Sequence, residues 1–74
     1  MKTIEITRVP TELFKILKFE GIADNGGEAK SMIEQGQVLL NGRTETQKRK
    51  KIVSGDLIEV NQESYKIIFK DPSK

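Results

Sequence analysis

The sequence predicts a small α+β fold, and three observations predict it. Polar and apolar residues alternate in Lys2 to Thr7, which is strand periodicity, and Leu57 to Val60 and Tyr65 to Phe69 read as two more strands. Two intervening stretches carry apolar residues at helical spacing, Leu13-Ile16-Leu17 and Ala29-Met32-Ile33. Between helices and late strands stands Asn41-Gly42, the strongest turn signal in the chain, because a type I′ turn needs positive φ at both central residues.

In chain order, Ile4 and Ile6 share one strand face, and Val9-Pro10 ends the strand because proline removes a donor and biases its predecessor toward extended geometry. Thr11 is the expected N-cap of a first helix running through Glu20, with Glu12 in the first turn, where the helix dipole favours an anion. Phe14 widens the apolar stripe, Lys15, Lys18 and Glu20 face outward, and Gly21 is the natural stop. Phe14 and Phe19 are assigned to core packing rather than to stacking on nucleobases.

Asn25 with Glu28 three residues later has the form of a capping box for the second helix, which Gly36 closes. Gly26-Gly27 in its first turn is costly, since glycine is poor inside a helix. Two physical reasons are open: close approach of another backbone, or amides presented to a phosphate. A phosphate-binding loop of the ATPase type is excluded, because Gly27 stands where that motif needs lysine. Val38 and Leu40 lie on one face of a strand entering the Asn41-Gly42 turn, with Leu39 on the other. Thr44 to Lys50 contains no apolar residue and reads as an irregular, exposed excursion. Ile52-Val53 resumes apolar character, Ser54-Gly55-Asp56 makes a turn, and two strands follow, joined by the polar Asn61-Gln62-Glu63-Ser64. Tyr65, Ile67 and Phe69 share the core-facing side, and Asp71-Pro72-Ser73-Lys74 is expected to fray.

A chain of 74 residues accommodates one domain, here 1–74. With no cysteine and no histidine, disulfides, zinc fingers and His-ligated metals are excluded, and so are thiol nucleophiles and His-based triads. Its carboxylates show no spacing that marks an acid/base pair. The expectation is a non-enzyme without cofactor. No apolar run approaches a signal-peptide core or a membrane span, which points to a cytoplasmic protein that does not engage membranes.

The net charge of +2 is unevenly distributed. Asn41 to Lys51 holds five cations (Arg43, Lys48, Arg49, Lys50, Lys51) and one anion, Glu45, so this segment is +4 and the rest of the chain −2. A local positive patch is what docking of a polyanion requires. Lysine and arginine neutralise phosphates and release counterions, while the planar arginine fork can hold a phosphate bidentately or stack on a base. Lys30 projects from the helix that carries Gly26-Gly27; if that helix packs beside the hairpin, Lys30, Arg43 and Lys48 to Lys51 line one surface. A solvated basic loop, a nuclear-localisation cluster, a protein-docking loop for an acidic partner and sequence-independent DNA binding are the other readings of such a cluster.

The order of these features resembles the RNA-binding domain named after bacterial small-subunit ribosomal protein S4, the alpha-L motif. The resemblance covers roughly Leu13 to Val60 and rests most specifically on Ile33-Glu34-Gln35-Gly36-Gln37-Val38-Leu39-Leu40-Asn41-Gly42 and on Val53-Ser54-Gly55-Asp56-Leu57-Ile58. Asn25-Gly26-Gly27-Glu28-Ala29-Lys30 and Glu45 to Ile52 are similar to the short stand-alone bacterial members of the YaaA and YbcJ kind. The resemblance implies two short helices packed on a small twisted, mostly antiparallel sheet. It also implies a monomer that binds structured RNA along the second helix and the following hairpin, with ribosomal RNA or a ribosome-assembly intermediate as the natural target. Carried over by position, the RNA-facing residues are Gly26, Gly27, Lys30, Gln37, Asn41, Gly42 and Arg43, to which the cluster Lys48, Arg49, Lys50 and Lys51 is added. Many members have Ser-Arg where this chain has Asn25-Gly26, and a second arginine in place of Lys30; the four-residue cluster is read as the replacement for the missing cation.

Overall fold

The structure, a computed structural model, describes residues 1–73; Lys74 lies outside the described residues. In chain order the elements are β1 (Lys2–Ile6), β2 (Thr11–Glu12), α1 (Leu13–Phe19), α2 (Gly26–Glu34), β3 (Leu39–Leu40), β4 (Arg43–Thr44), β5 (Lys51–Ile52), β6 (Leu57–Val60) and β7 (Glu63–Phe69). Five strands form one sheet in the order β1-β7-β6-β3-β4, while β2 and β5 pair separately. Only the β1–β7 pairing is parallel, with Ile4 opposite Ile67; β7–β6, β6–β3 and β3–β4 are antiparallel. The expected α+β architecture with a mostly antiparallel sheet is therefore present.

One hydrophobic cluster joins helices and sheet. Leu13, Ile16 and Leu17 of α1, Ala29 and Ile33 of α2, Val38 before β3, Ile52 of β5, and Ile4, Ile58 and Ile67 of the large sheet are each 2% exposed or less. Removing one such aliphatic side chain from water stabilises the fold by about 1.5–3 kcal/mol, and no disulfide or metal is needed to explain how so short a chain holds together. Tyr65 and Phe69 pack against this cluster from β7, half-buried, on the face that Ile67 shares.

Both helices stop by the same device. Gly21 and Gly36 adopt φ of +74° and +76°. Around them, the Ile22 and Gly21 amides donate to Leu17 and Lys18, and the Gln37 and Gly36 amides to Met32 and Ile33. This satisfies the otherwise orphaned carbonyls of each last turn in a Schellman arrangement. At the start of α2 the Asn25 side-chain oxygen accepts from the Glu28 amide at 2.8 Å, as the capping pattern requires. Asn41 and Gly42 have φ of 53° and 85°, so the β3–β4 hairpin turns as expected, with Leu40 opposite Arg43.

Three local expectations are corrected. Thr11 does not cap α1: it lies in β2 opposite Ile52, and its hydroxyl donates to the Arg8 carbonyl at 2.7 Å. The cap position falls to Glu12, whose side chain makes no capping bond. Instead the first amides of α1 are taken up from outside, Leu13 donating to the Lys50 carbonyl at 2.9 Å and Phe14 to that of Lys48 at 3.1 Å. Phe14 is buried as expected, but Phe19 is 68% exposed, because it follows Leu17 by two residues and so falls on the face of α1 opposite the buried one. Glu63 and Ser64 belong to β7 rather than to a loop. The turn that precedes them is Asn61-Gln62, both at positive φ without a glycine to announce it. At the C-terminal end, Asp71 and Ser73 form a small side-chain-to-backbone turn, the Ser73 amide and hydroxyl both donating to the Asp71 carboxylate.

Candidate nucleic-acid interface

The segment Glu45 to Lys50 is irregular, as its composition demands, yet it is not loose. The β2–β5 ladder pairs Glu12 with Lys51 and Thr11 with Ile52, and the carbonyls of Lys48 and Lys50 close the N-terminus of α1. Backbone bonds thus fix the cationic run against α1, while its side chains point outward.

Phe14 is the centre on which the cations gather. The Lys30 ammonium lies 4.7 Å from its ring centroid and the Arg49 guanidinium 5.8 Å, distances at which the ring quadrupole attracts a cation. Lys48 reaches Glu34 of α2 at 3.5 Å. Arg49 lies 3.5 Å from Glu12, which also holds Lys15 at 3.1 Å. Lys30, Lys48 and Arg49 therefore share one surface with α2, as the sequence suggested for part of the set. Lys18, one helical turn beyond Phe14, joins them: a Cβ placed on Gly26 would lie 3.9 Å from the Lys18 side chain.

The close-backbone explanation for Gly26-Gly27 does not hold. Nothing but the Lys18 side chain lies within 4 Å of a Cβ at Gly26, and at Gly27 the nearest atom is the capping oxygen of Asn25, at 3.3 Å. The two glycines put no side chain of their own in front of the first turn of α2, where the Asn25 oxygen takes the Glu28 amide and the Lys18 side chain lies beside Gly26.

The remaining candidates lie apart from the Phe14 cluster. Gly42 and Arg43 are exposed in the β3–β4 hairpin. Asn41 is exposed too, but its side-chain amide is engaged, donating to Asp56 at 3.1 Å and accepting from the Leu57 amide at 2.9 Å. Its side chain ties the hairpin to the β5–β6 turn. Gln37 extends from the end of α2 and donates to Gln35 at 2.9 Å. Among the described residues no hydrogen bond or ion pair links the Arg43 side chain to Lys30 or to the Lys48–Lys51 run. Lys50 and Lys51 are exposed, and among the described residues neither has a carboxylate within 4.0 Å.

Sequence reasoning overlooked Lys18, Glu12 and Glu34. The spacing of Lys18 from Phe14, one turn along α1, was a usable signal; the pairing of Glu34 with Lys48 had none. Exposed ion pairs of this kind are worth about 0–1 kcal/mol, so the two carboxylates hold the cations in place yet yield readily to a phosphate.

A hydrogen bond from Lys15, assisted by the charge of Arg49, holds the Glu12 carboxyl below the ordinary glutamate range. A carboxyl whose folded value is depressed stabilises the fold above its unfolded value, and that contribution disappears as pH falls through the folded value. The difference in thermal midpoint between the parent protein and Glu12→Gln should therefore be small but positive near neutrality and vanish as pH falls through the lowered folded-state value of Glu12. A difference independent of pH in melts recorded across that range would refute the assignment.

Against this geometry, comparison with known proteins is decisive for kinship. The sequence profile of the S4 domain matches residues 4–68. This chain belongs to the S4 domain family. It is 38% identical over 69 residues to YbcJ of Escherichia coli (strain K12), a match that spans 92% of this chain and 99% of that one, and equally to YbcJ of Shigella flexneri. The solution structure of the E. coli protein, described as revealing an alpha-L motif involved in RNA-binding, superposes with a TM-score of 0.69 over 92% of this chain and 87% of that chain. The fold of this S4-family chain is thus the alpha-L fold. The crystal structure of the 30S ribosomal protein S4e from Thermoplasma acidophilum is 27% identical, with a TM-score of 0.65 over 93% of this chain and 35% of that longer chain.

Proposed function

We propose that this S4-family chain is a non-catalytic RNA-binding protein. In this reading it binds structured RNA, with ribosomal RNA or a ribosome-assembly intermediate as the target, and acts as a cytoplasmic monomer. The observation that carries the proposal is the gathering of Lys30 and Arg49 on Phe14, with Lys48 held by Glu34 at the end of α2, in a fold shared with a relative described as involved in RNA-binding. Gly26, Gly27 and Lys30 would face the RNA backbone from α2, and Lys48 to Lys51 would add phosphate contacts from the loop anchored on α1. Gln37, Asn41, Gly42 and Arg43 would extend the footprint to the hairpin. The S4e likeness supports a ribosomal target. Contacts to backbone and shape dominate in this scheme, since the major groove of duplex RNA is too deep and narrow for side chains to read.

A binding titration against a structured RNA and a matched DNA duplex, over a salt series, tests it. RNA should bind more tightly than DNA at every salt concentration, because A-form geometry and the 2′-hydroxyl distinguish the two. Equal affinity for both would reduce the activity to general polyanion binding. No RNA binding at low salt would sink the proposal and leave the basic loop as a docking surface for an acidic protein.

A further inference from the structure

Beside the cationic surface, α1 presents a second feature that phosphate binding does not use. Phe19 is 68% exposed, the most exposed aromatic side chain of the chain. The Lys18 ammonium stands 5.0 Å from its ring centroid, and the same Lys18 stem lies next to Gly26 at the start of α2. Lys18 therefore bridges the first turn of α2 and an open aromatic ring. On its other side Phe19 forms a wall of a groove of about 510 Å³ between α1 and the chain following β1. Apolar side chains of β1 and α1 line that groove together with the hydroxyls of Thr7 and Thr11, the cations Arg8 and Lys15 and the carboxylates of Glu5, Glu12 and Glu20. Among the described residues Arg8 and Glu20 have no ion-pair partner.

We propose that Phe19 is a stacking platform for one unpaired nucleobase of the bound RNA, a bulged, looped-out or terminal nucleotide next to the helix that the cationic surface holds. This rests on the RNA-binding reading above and deepens it by naming a structural feature of the RNA. An aromatic face accepts any base, and sequence-specific or structure-specific RNA recognition targets bases that are free of a helix. The groove beside the ring has room for a nucleotide, since ligand sites of about 300–1,000 Å³ enclose whole small molecules. Thr7, Thr11 and Glu20 offer acceptors to exocyclic amines, while Arg8 in the groove and Lys18 on the ring are the cations available to neighbouring phosphates. A single exposed apolar residue is ordinary by itself; here the ring carries the Lys18 ammonium on its face, lines a groove of mixed apolar and polar character, and is joined through Lys18 to the start of α2, a combination suited to a flat base with a charged backbone.

The test compares two RNAs, a fully paired hairpin and the same hairpin with 2-aminopurine as an unpaired bulge, titrated with the parent protein, Phe19→Ala, Phe19→Leu and Phe19→Trp. With the parent protein, the bulged RNA should bind more tightly and its 2-aminopurine fluorescence should be quenched. Phe19→Ala and Phe19→Leu should abolish the quenching and weaken the bulged RNA by roughly 5- to 100-fold, with little effect on the paired hairpin. Phe19→Trp should restore both signals. Substitution at so exposed a position should leave the thermal midpoint nearly unchanged, which separates loss of stacking from loss of fold. Equal effects of Phe19→Ala on both RNAs, or none on either while the parent protein binds them, would overturn the platform and leave RNA binding standing. No binding of either RNA by the parent protein would overturn both.

Discussion

Replacing Lys48, Arg49, Lys50 and Lys51 together with glutamine should flatten the salt dependence of RNA binding by about 3 units in the slope of log K against log salt. Each cation that neutralises a phosphate releases condensed counterions and contributes about 0.7–0.9 to that slope. Over about 50 to about 200 mM salt, four such contacts correspond to a loss of about a hundredfold in affinity, a loss the variant should no longer show. The side chains are only part of what this segment does. The α1 amides are closed by the carbonyls of Lys48 and Lys50, which glutamine keeps, so the circular-dichroism spectrum should be preserved. Single replacements should rank. Lys50 and Lys51 have no nearby carboxylate to leave, whereas Lys48 must give up Glu34 and Arg49 must give up Glu12. Lys50→Gln and Lys51→Gln should therefore cost more RNA affinity than Lys48→Gln. An unchanged slope in the quadruple variant would remove the segment from the interface.

That ranking could not have been read from the sequence, where the four cations look equivalent. What the sequence does specify is whatever a few neighbouring residues decide among themselves. Asn25 and Glu28 set the start of α2, Gly21 and Gly36 end both helices, and Asn41-Gly42 turns the hairpin, all within a single turn of chain. Alternation and helical spacing placed most of the core for the same reason. The failures divide into one non-local pairing and two local misreadings. Thr11 has the chemistry of a cap, but its backbone pairs with Ile52, far along the chain, and the amides it would have served find carbonyls in the basic loop. Phe19 has the chemistry of a core residue, but its spacing from Leu17 puts it on the outer face of α1, a signal that was legible in the sequence. Asn61-Gln62 turns without glycine, so Glu63 and Ser64 read as loop. The candidate site divides in the same way: its residue types were legible as a charge cluster, while the gathering of Lys30 and Arg49 on Phe14 depends on how α1, α2 and β5 pack.

The packing of β5 makes the second large prediction. Ile52 and Val53 are adjacent and chemically alike, yet Ile52 is 0% exposed and Val53 45%. Ile52→Ala should destabilise the protein by about 2–5 kcal/mol, through lost transfer free energy and the cavity left behind. Val53→Ala should stay within about 0.5 kcal/mol. For a domain of this size the whole stability is only about 4–11 kcal/mol, so the first substitution consumes a large share of it, as denaturant titration would record. The consequence reaches the interface, because Ile52 is the side chain that seats β5, and β5 holds the end of the cationic run against Thr11 and Glu12. As that seat loosens, the amides of Leu13 and Phe14 lose the carbonyls of Lys50 and Lys48, and hydrogen exchange should report faster exchange at those two amides. Acceleration spread evenly over every core amide would mean that β5 opens only with global unfolding. Selective acceleration at Leu13 and Phe14 would mean that the anchored loop is a separate, weaker unit, and that RNA affinity in Ile52→Ala falls through the positioning of Lys48 to Lys51 and not through their charge.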